Sequence, residues 1–154
     1  PAQLFLIDIE DYRLEQGRIL GATHLLNPKR VNVIKHIKSL TDGNGVDLTI
    51  DAVGLPQILN ECITCTTPGG IMSVVGIGTP SLEFPMMKFM FKNLTMRGGY
   101  VPLIHMKRLL TLIQEKRLDV SSLITHTVKL NSIIEGYHLF ANKEDNCIKV
   151  MVVP

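Results

Sequence analysis

Asp8 closes the short apolar run Leu4-Phe-Leu-Ile7, and an acidic side chain at the end of a buried strand can accept hydrogen bonds from both hydroxyls of an adenosine ribose. The same charge repels a 2′-phosphate, which favours NAD over NADP; the plainer alternative is a helix-capping aspartate. Gly76-Ile-Gly78 lacks the third glycine of a dinucleotide loop, and Pro80 would obstruct the opening helical turn. The role expected of these glycines is close backbone approach to a flat ligand ring, with a plain turn as the alternative. Cys62-Ile-Thr-Cys65 has metal-ligand spacing, but no second cysteine or histidine pair completes four ligands. Within an amphipathic helix the two thiols read as small core residues. His24, His36, His105, His126 and His138 are dispersed, and none has the spacing of a ligand pair. His126 lies in an apolar strand, where a hydrogen-bonded structural histidine is expected. Lys149, in the last strand, could reach a phosphate or simply face solvent. Met86-Met87 and Met90 read as packing or as a subunit contact.

These residues need elements to hold them. Leu4–Ile7 reads as a strand covered on both faces. A helix follows with Asp11 as N-cap, Gly17 inside it at a cost of about 1 kcal/mol, and Gly21 just beyond its end. A brief strand spans 23–26, and Val31, Ile34, Ile37 and Leu40 recur at helical spacing. Val46, Leu48, Ile50 and Ala52 alternate with Asp47, Thr49 and Asp51, a strand signature ended by Gly54. Ile58, Leu59, Cys62 and Ile63 outline a helix closed by Pro68-Gly-Gly70, and 71–75 is the next buried strand. Beyond an ambiguous Met- and Phe-rich stretch, 82–91, come a strand at 94–96 and a helix ending near Lys116-Arg117. A strand at 123–128, a helix opened by the capping box Ser132-Ile-Ile-Glu135 and a strand at 148–153 complete the chain.

Alternating strands and helices with short connections predict a mainly parallel α/β sheet, doubly wound with helices on both faces. Ligands of such sheets bind beyond the carboxyl ends of the strands, where Asp8, Gly54, Gly76 and Gly99 all fall.

At 154 residues the chain suffices for one domain. Hydrophobic residues at 45% and charged residues at 19% indicate a globular protein rather than a disordered one. A net charge of +2, with lysines and arginines scattered, argues against a nucleic-acid partner. No apolar run is long enough to cross a membrane. Three cysteines without a disulfide framework fit a reducing, cytoplasmic setting. The start at Pro1 carries neither an initiator methionine nor a signal peptide, and the chain reads as cut from something longer.

Taken in order, the segments resemble the coenzyme domain of the zinc-type, medium-chain alcohol dehydrogenases nearly end to end. The resemblance rests on Ile7-Asp8, Leu20-Gly-Ala-Thr-His-Leu-Leu-Asn-Pro28, Thr41-Asp-Gly-Asn-Gly-Val-Asp47, Ile50-Asp-Ala-Val-Gly54, Pro68-Gly-Gly70, Val75-Gly76 and Leu123-Ile-Thr-His-Thr-Val128. It implies a Rossmann-type fold that binds NAD, with Asp8 on the adenosine ribose, Ile9 beside the adenine and Arg13 close to the ribose. Val53 and Gly54 would line the adenosine side. Val75, at the Val75-Gly76 match, would join Gly99 and Val101 in offering main-chain groups to the nicotinamide carboxamide. Lys149 falls where the family often places an arginine for the pyrophosphate, supplying charge without the bidentate fork. The 82–91 stretch, Leu82 to Phe91, matches the surface that pairs two coenzyme domains, which implies a homo-oligomer.

The family places a first strand, a glycine-rich loop and a helix before the position of Pro1, and its zinc ligands in a separate N-terminal domain. The chain is thus expected to be a partial coenzyme domain of an enzyme that acts on an alcohol or carbonyl, with zinc in the parent and no metal or turnover of its own. With strand order 3-2-1-4-5-6, the missing first strand is the sheet's centre. Strands beginning at Leu4 and Val46 would then carry unpaired edges, to be resolved by direct pairing, by a second copy or by another chain. Two other readings compete. One is a methyltransferase-like fragment whose Asp8 holds S-adenosylmethionine, against which the strand–helix–strand ending at Val153 argues. The other is a non-enzymatic, self-associating fragment.

Overall fold

The computed structural model describes residues 3–78, 83–99 and 103–154. In chain order the elements among them are β1 (Phe5–Ile7), α1 (Asp11–Ile19), β2 (His24–Leu26), α2 (Val33–Ser39), β3 (Val46–Asp51), α3 (Pro56–Cys65), β4 (Thr66–Val74), α4 (Met86–Phe91), β5 (Thr95–Gly98), α5 (Met106–Gln114), β6 (His126–Lys129), α6 (Ile133–Asn142) and β7 (Val150–Val153). Every ladder is parallel: β1 with β2, β3 with β4 and β4 with β5, and β6 with β7. Each ladder therefore joins strands separated by a crossover, as parallel pairing requires. The chain divides into two compact units, one of Pro1–Arg30 with Leu103–Pro154 and one of Val31–Pro102.

In the first unit α1 packs on the β1–β2 pair and ends at Leu20, after which Gly21 takes φ +101, the left-handed position expected of it. Gly17 has a packing reason: the Leu6 side chain occupies the space a Cβ there would need. Two expectations are corrected. Glu10 is the N-cap and Asp11 the first helical residue, because the Asp11 carboxylate is drawn aside to Asn27 and Arg30. β1 is not covered on both faces, since one helix shields one side: Phe5 and Leu6 are half-buried and Ile7 is exposed.

The closing strand–helix–strand is parallel, unlike the antiparallel hairpin that ends a methyltransferase sheet. α6 settles on it through Gly136, where a Cβ would stand 3.0 Å from Val128 and 3.2 Å from Val150. β6 starts at His126 rather than at residue 123, because Ser121–Leu123 forms a 3₁₀ turn. The Ser132 capping box does not form. A 3₁₀ turn over Leu130–Ser132 runs straight into α6, leaving Ser132 at φ −103, ψ 19 with no capping bond from its hydroxyl. β7 likewise starts at Val150, so Lys149 precedes the strand.

In the second unit Leu59, Ile63, Met72 and Leu94 make the core, with Phe84 and Phe89 packed against it edge to face at 5.2 Å. α3 passes directly into β4 at Thr66, so Pro68-Gly-Gly70 lies inside the strand instead of closing the helix. The carbonyls left open at the end of α3 are met by the Lys92 ammonium, 2.8 Å from Ile63 O and 3.1 Å from Thr64 O, with Thr66 O also bonded. β3 inverts the usual pattern. Leu48 and Ile50 are 52% and 61% exposed, while Thr49 and Asp51 turn inward. Thr49 is satisfied by the Thr66 hydroxyl at 2.9 Å. Both expected free edges are present: among the described residues β1 ladders only with β2 and β3 only with β4, so the direct pairing offered above is not formed.

Candidate functional site

At the carboxyl end of β1, Asp8 donates its N–H to Leu26 O at 3.3 Å, and its Oδ1 accepts from Glu10 N at 2.9 Å. That second bond turns the chain into α1. Asp8 Oδ2 accepts nothing from the described residues, so an acceptor remains for a sugar hydroxyl at the place where the fold would put one. Beside it Ile9 is exposed and offers an apolar surface. Arg13 donates from Nε to the Tyr12 hydroxyl at 3.2 Å, its guanidinium 5.7 Å from the Tyr12 ring centre, and Tyr12 donates in turn to Cys147 O at 3.3 Å. Arg13 is thus held near the start of α1 by its own neighbours. Elsewhere in this unit the Lys149 ammonium stands 5.3 Å from the Phe140 ring centre, a cation–π contact with the preceding helix.

In the second unit two turns meet backbone to backbone. β3 ends at Asp51 and the chain turns through Val53 and Gly54, the latter at φ +81. β4 ends at Val74 and turns through Val75, Gly76 and Gly78. A Cβ on Gly54 would fall 2.6 Å from Gly78 N and 2.7 Å from Gly76 C, and one on Gly76 would run into Val53 and Gly54. The close approach expected at Gly76 and Gly78 is therefore to another stretch of backbone, and only glycine allows it. Asp51 ties the two turns together. Its Oδ1 accepts from Val53 N (2.8 Å) and Gly54 N (2.9 Å), and its carbonyl accepts from Val75 N and Gly76 N, both at 2.9 Å.

Next to these turns lies a cavity of about 390 Å³, walled by Val75, Gly76, Gly98, Gly99, Phe84 and Met96 among others, with no charged side chain among its described lining residues. The β4–β5 ladder ends at Val74 and Gly98, so Val75 and Gly99 lie past the last paired residues. The Val75 N–H is already taken by Asp51, which leaves its carbonyl to face a ligand. An uncharged pocket edged by unladdered backbone suits a flat, weakly polar ring. Val101 lies outside the described residues, as does Leu82 at the head of the Met- and Phe-rich stretch.

No group of three His, Cys, Asp or Glu side chains among the described residues could hold a metal. Burial, reinforced by the Asp51 charge, pushes the Cys62 thiol up to about 11, and burial raises that of Cys65 as well. Neutral thiols are poor metal ligands, so these residues do not fit zinc. His126 is the structural histidine expected of it, with Nδ1 2.9 Å from the Thr125 hydroxyl and Nε2 3.3 Å from Asp145. Sequence reasoning passed over Asp51, Asn27 and Lys92. For Asp51 the signal was available, since an aspartate three residues before a glycine at a strand end is a turn-forming pattern.

Residues 2–115 match the sequence profile of the family described as zinc-binding dehydrogenase. An alcohol dehydrogenase of Cupriavidus necator is 32% identical over 98% of this chain and 42% of its own length. An L-threonine 3-dehydrogenase of Caldanaerobacter subterraneus is 33% identical over 99% of the chain and 45% of its own. The solved structure of alcohol dehydrogenase TADH from Thermus sp. ATN1 superposes with a TM-score of 0.89 at 31% identity, covering 99% of this chain and 44% of that one. The chain thus spans less than half the length of the relatives it matches, and its fold is the Rossmann-type α/β arrangement. No helix among the described residues is long and apolar enough to cross a membrane.

Proposed function

This chain belongs to the zinc-binding dehydrogenase family, and we propose that it is the coenzyme-binding part of an NAD-dependent dehydrogenase that moves a hydride between NAD(H) and an alcohol or carbonyl compound. The observation that carries the reading is Asp8 Oδ2, an acceptor with no donor among the described residues, at the carboxyl end of a parallel strand. Asp8 would take the adenosine ribose, with Ile9 and Arg13 beside it and Val53 and Gly54 on the same half of the coenzyme. Val75 O and Gly99 would orient the nicotinamide carboxamide in the uncharged cavity, and Lys149 would lend its charge to the pyrophosphate.

The nicotinamide supplies the hydride chemistry when bound; the residues of this chain bind and orient it. Polarising the substrate oxygen would fall to zinc in another part of the parent enzyme, so the chain alone should turn over no alcohol. The relatives named for alcohol and for L-threonine leave the substrate class at alcohol or carbonyl. Free thiols at Cys62, Cys65 and Cys147 suit a cytoplasmic setting. Met86, Met87, Met90 and Phe91, all exposed on or beside α4, support pairing of two copies through that helix.

Titration of the chain with NADH, read by fluorescence and calorimetry against NADPH and S-adenosylmethionine, tests this. Saturable NADH binding that Asp8→Ala abolishes is expected. Binding of S-adenosylmethionine alone would overturn it.

A further inference from the structure

Asp51 is the most deeply buried carboxylate among the described residues, 2% exposed, and it has no cationic partner there. A buried carboxylate without a counter-charge is costly unless hydrogen bonds satisfy it. The Asp51 carboxylate recovers part of this through backbone alone, from Val53 N and Gly54 N on its Oδ1, while its main-chain carbonyl separately accepts from Val75 N and Gly76 N. One residue thereby fixes four N–H groups in the two turns that follow β3 and β4, its carbonyl accepting at the end of their ladder, where Asp51 stands opposite Val74, and its carboxylate accepting beyond it. The two turns lie so close that neither Gly54 nor Gly76 has room for a Cβ. Asp51 also contributes to the wall of a smaller cavity of about 150 Å³ beside the same turns, along with Gly54, Gly76 and Gly78.

We propose that Asp51 is the positioning residue of the coenzyme cleft, setting the Val53-Gly54 and Val75-Gly76 turns in register so that their main-chain groups meet both halves of one ligand. The proposal rests on the coenzyme reading above. Asp51 touches no ligand in this role. Its carboxylate holds one turn and its backbone the other, so a shift of the side chain carries the end of β3 and with it both rims. The need is for an acceptor at Oδ1, not for negative charge, and asparagine should serve where alanine cannot.

The test uses the 154-residue chain with Asp51→Ala and Asp51→Asn, read in two ways. Amide hydrogen exchange at Val53 and Gly54 reports the hold directly, without any coenzyme. It should quicken at least tenfold in Asp51→Ala, and more than at core amides such as Met72, while Asp51→Asn keeps wild-type protection. NADH is the second probe. Asp51→Ala should weaken binding at least tenfold and return the emission of saturating NADH toward that of free NADH, a change that loss of folded protein alone would not produce; Asp51→Asn should stay within threefold of wild type. Unchanged exchange in Asp51→Ala overturns the proposal whatever NADH does. Faster exchange with unaltered NADH binding overturns the positioning role and leaves the coenzyme reading standing. A wild-type chain that binds no NADH overturns both. If Asp51→Ala does not fold, a folded Asp51→Asn with unprotected Val53 and Gly54 amides refutes the acceptor argument by itself.

Discussion

Leu6 of β1 fills the volume that Gly17 of α1 leaves open, so strand and helix approach through one large and one absent side chain. Glycine inside a helix costs about 1 kcal/mol relative to alanine, and here the loss is offset by close packing. Gly17→Ala should therefore destabilise the chain despite its better helix propensity. In a Leu6→Ala background the same substitution should stabilise it, by up to about 1 kcal/mol. Urea unfolding of the four variants measures this; the same sign in both backgrounds would show that the packing is irrelevant.

Asn27, 7% exposed, bridges the loop after β1: Nδ2 donates to Asp11 Oδ1 at 2.8 Å and to Ile9 O at 3.2 Å, and Oδ1 accepts from Lys29 N at 3.0 Å. The Asn27 bond is the chief reason that the Asp11 carboxyl titrates below its ordinary range, with the Arg30 charge and hydrogen bond and the Lys29 charge adding to it. A carboxyl depressed by folding contributes stability above its unfolded pKa and loses it as pH falls through the folded one. In Asn27→Ala the Asp11 midpoint should climb toward the ordinary value, which a carbon-13 titration of that carboxyl would follow. Loss of the bond to Ile9 O should cost about 0.5–1.5 kcal/mol in addition.

The Cys62 thiol, pushed up to about 11 by burial and by the Asp51 charge, should hold roughly a hundredfold less thiolate at neutral pH than an ordinary cysteine. Iodoacetamide at pH 8, followed by mass spectrometry, should label it only after unfolding. A thiol raised by folding contributes stability below its unfolded pKa and loses it as pH rises through the folded one. Cys62→Ala should accordingly lessen the alkaline loss of stability between the ordinary thiol range and about 11. Rapid labelling of the folded chain would contradict the buried placement.

Phe91 and Met87 are 78% and 62% exposed, and a charge at either would be desolvated by pairing through α4. Phe91→Glu with Met87→Glu should convert an oligomer to monomer in light scattering, with melting temperature and NADH binding unchanged. A wild-type chain that is already monomeric at micromolar concentration would remove the basis for the α4 interface.

The order of strands and helices was readable because it is written in local signals: the apolar run before Asp8, the glycine past the end of α1, the Asp42-Gly43 turn. Boundaries that depend on three-dimensional competition were not. Asp11 has the side chain of a cap, yet Asn27 and Arg30, both beyond β2, claim its carboxylate. Ser132 has capping spacing, yet the 3₁₀ turn before it sets the wrong backbone angles. In β3 the alternation was plain but its direction was not, because Thr49 and Asp51 find partners inside that no hydropathy pattern records. Most of the expected ligand residues were named by resemblance, Asp8 and Gly76 also from their places at strand ends. The residue that braces four of them, Asp51, stood unremarked inside one of the quoted segments.

The unit of Val31–Pro102 is continuous, whereas the other is assembled from the two ends of the chain. During synthesis the continuous unit can close as soon as it has left the ribosome. The other must wait: the Tyr12 hydroxyl needs Cys147 O, and Glu10 needs the ammonium of Lys143. Until those residues emerge, β1, α1 and β2 lack the contacts that the C-terminal part of their unit supplies. Residues far downstream of Asp8 therefore complete the contacts of its neighbours Glu10 and Tyr12. A ribosome stalled just before them would present a finished inserted unit beside an α1 still lacking these two contacts.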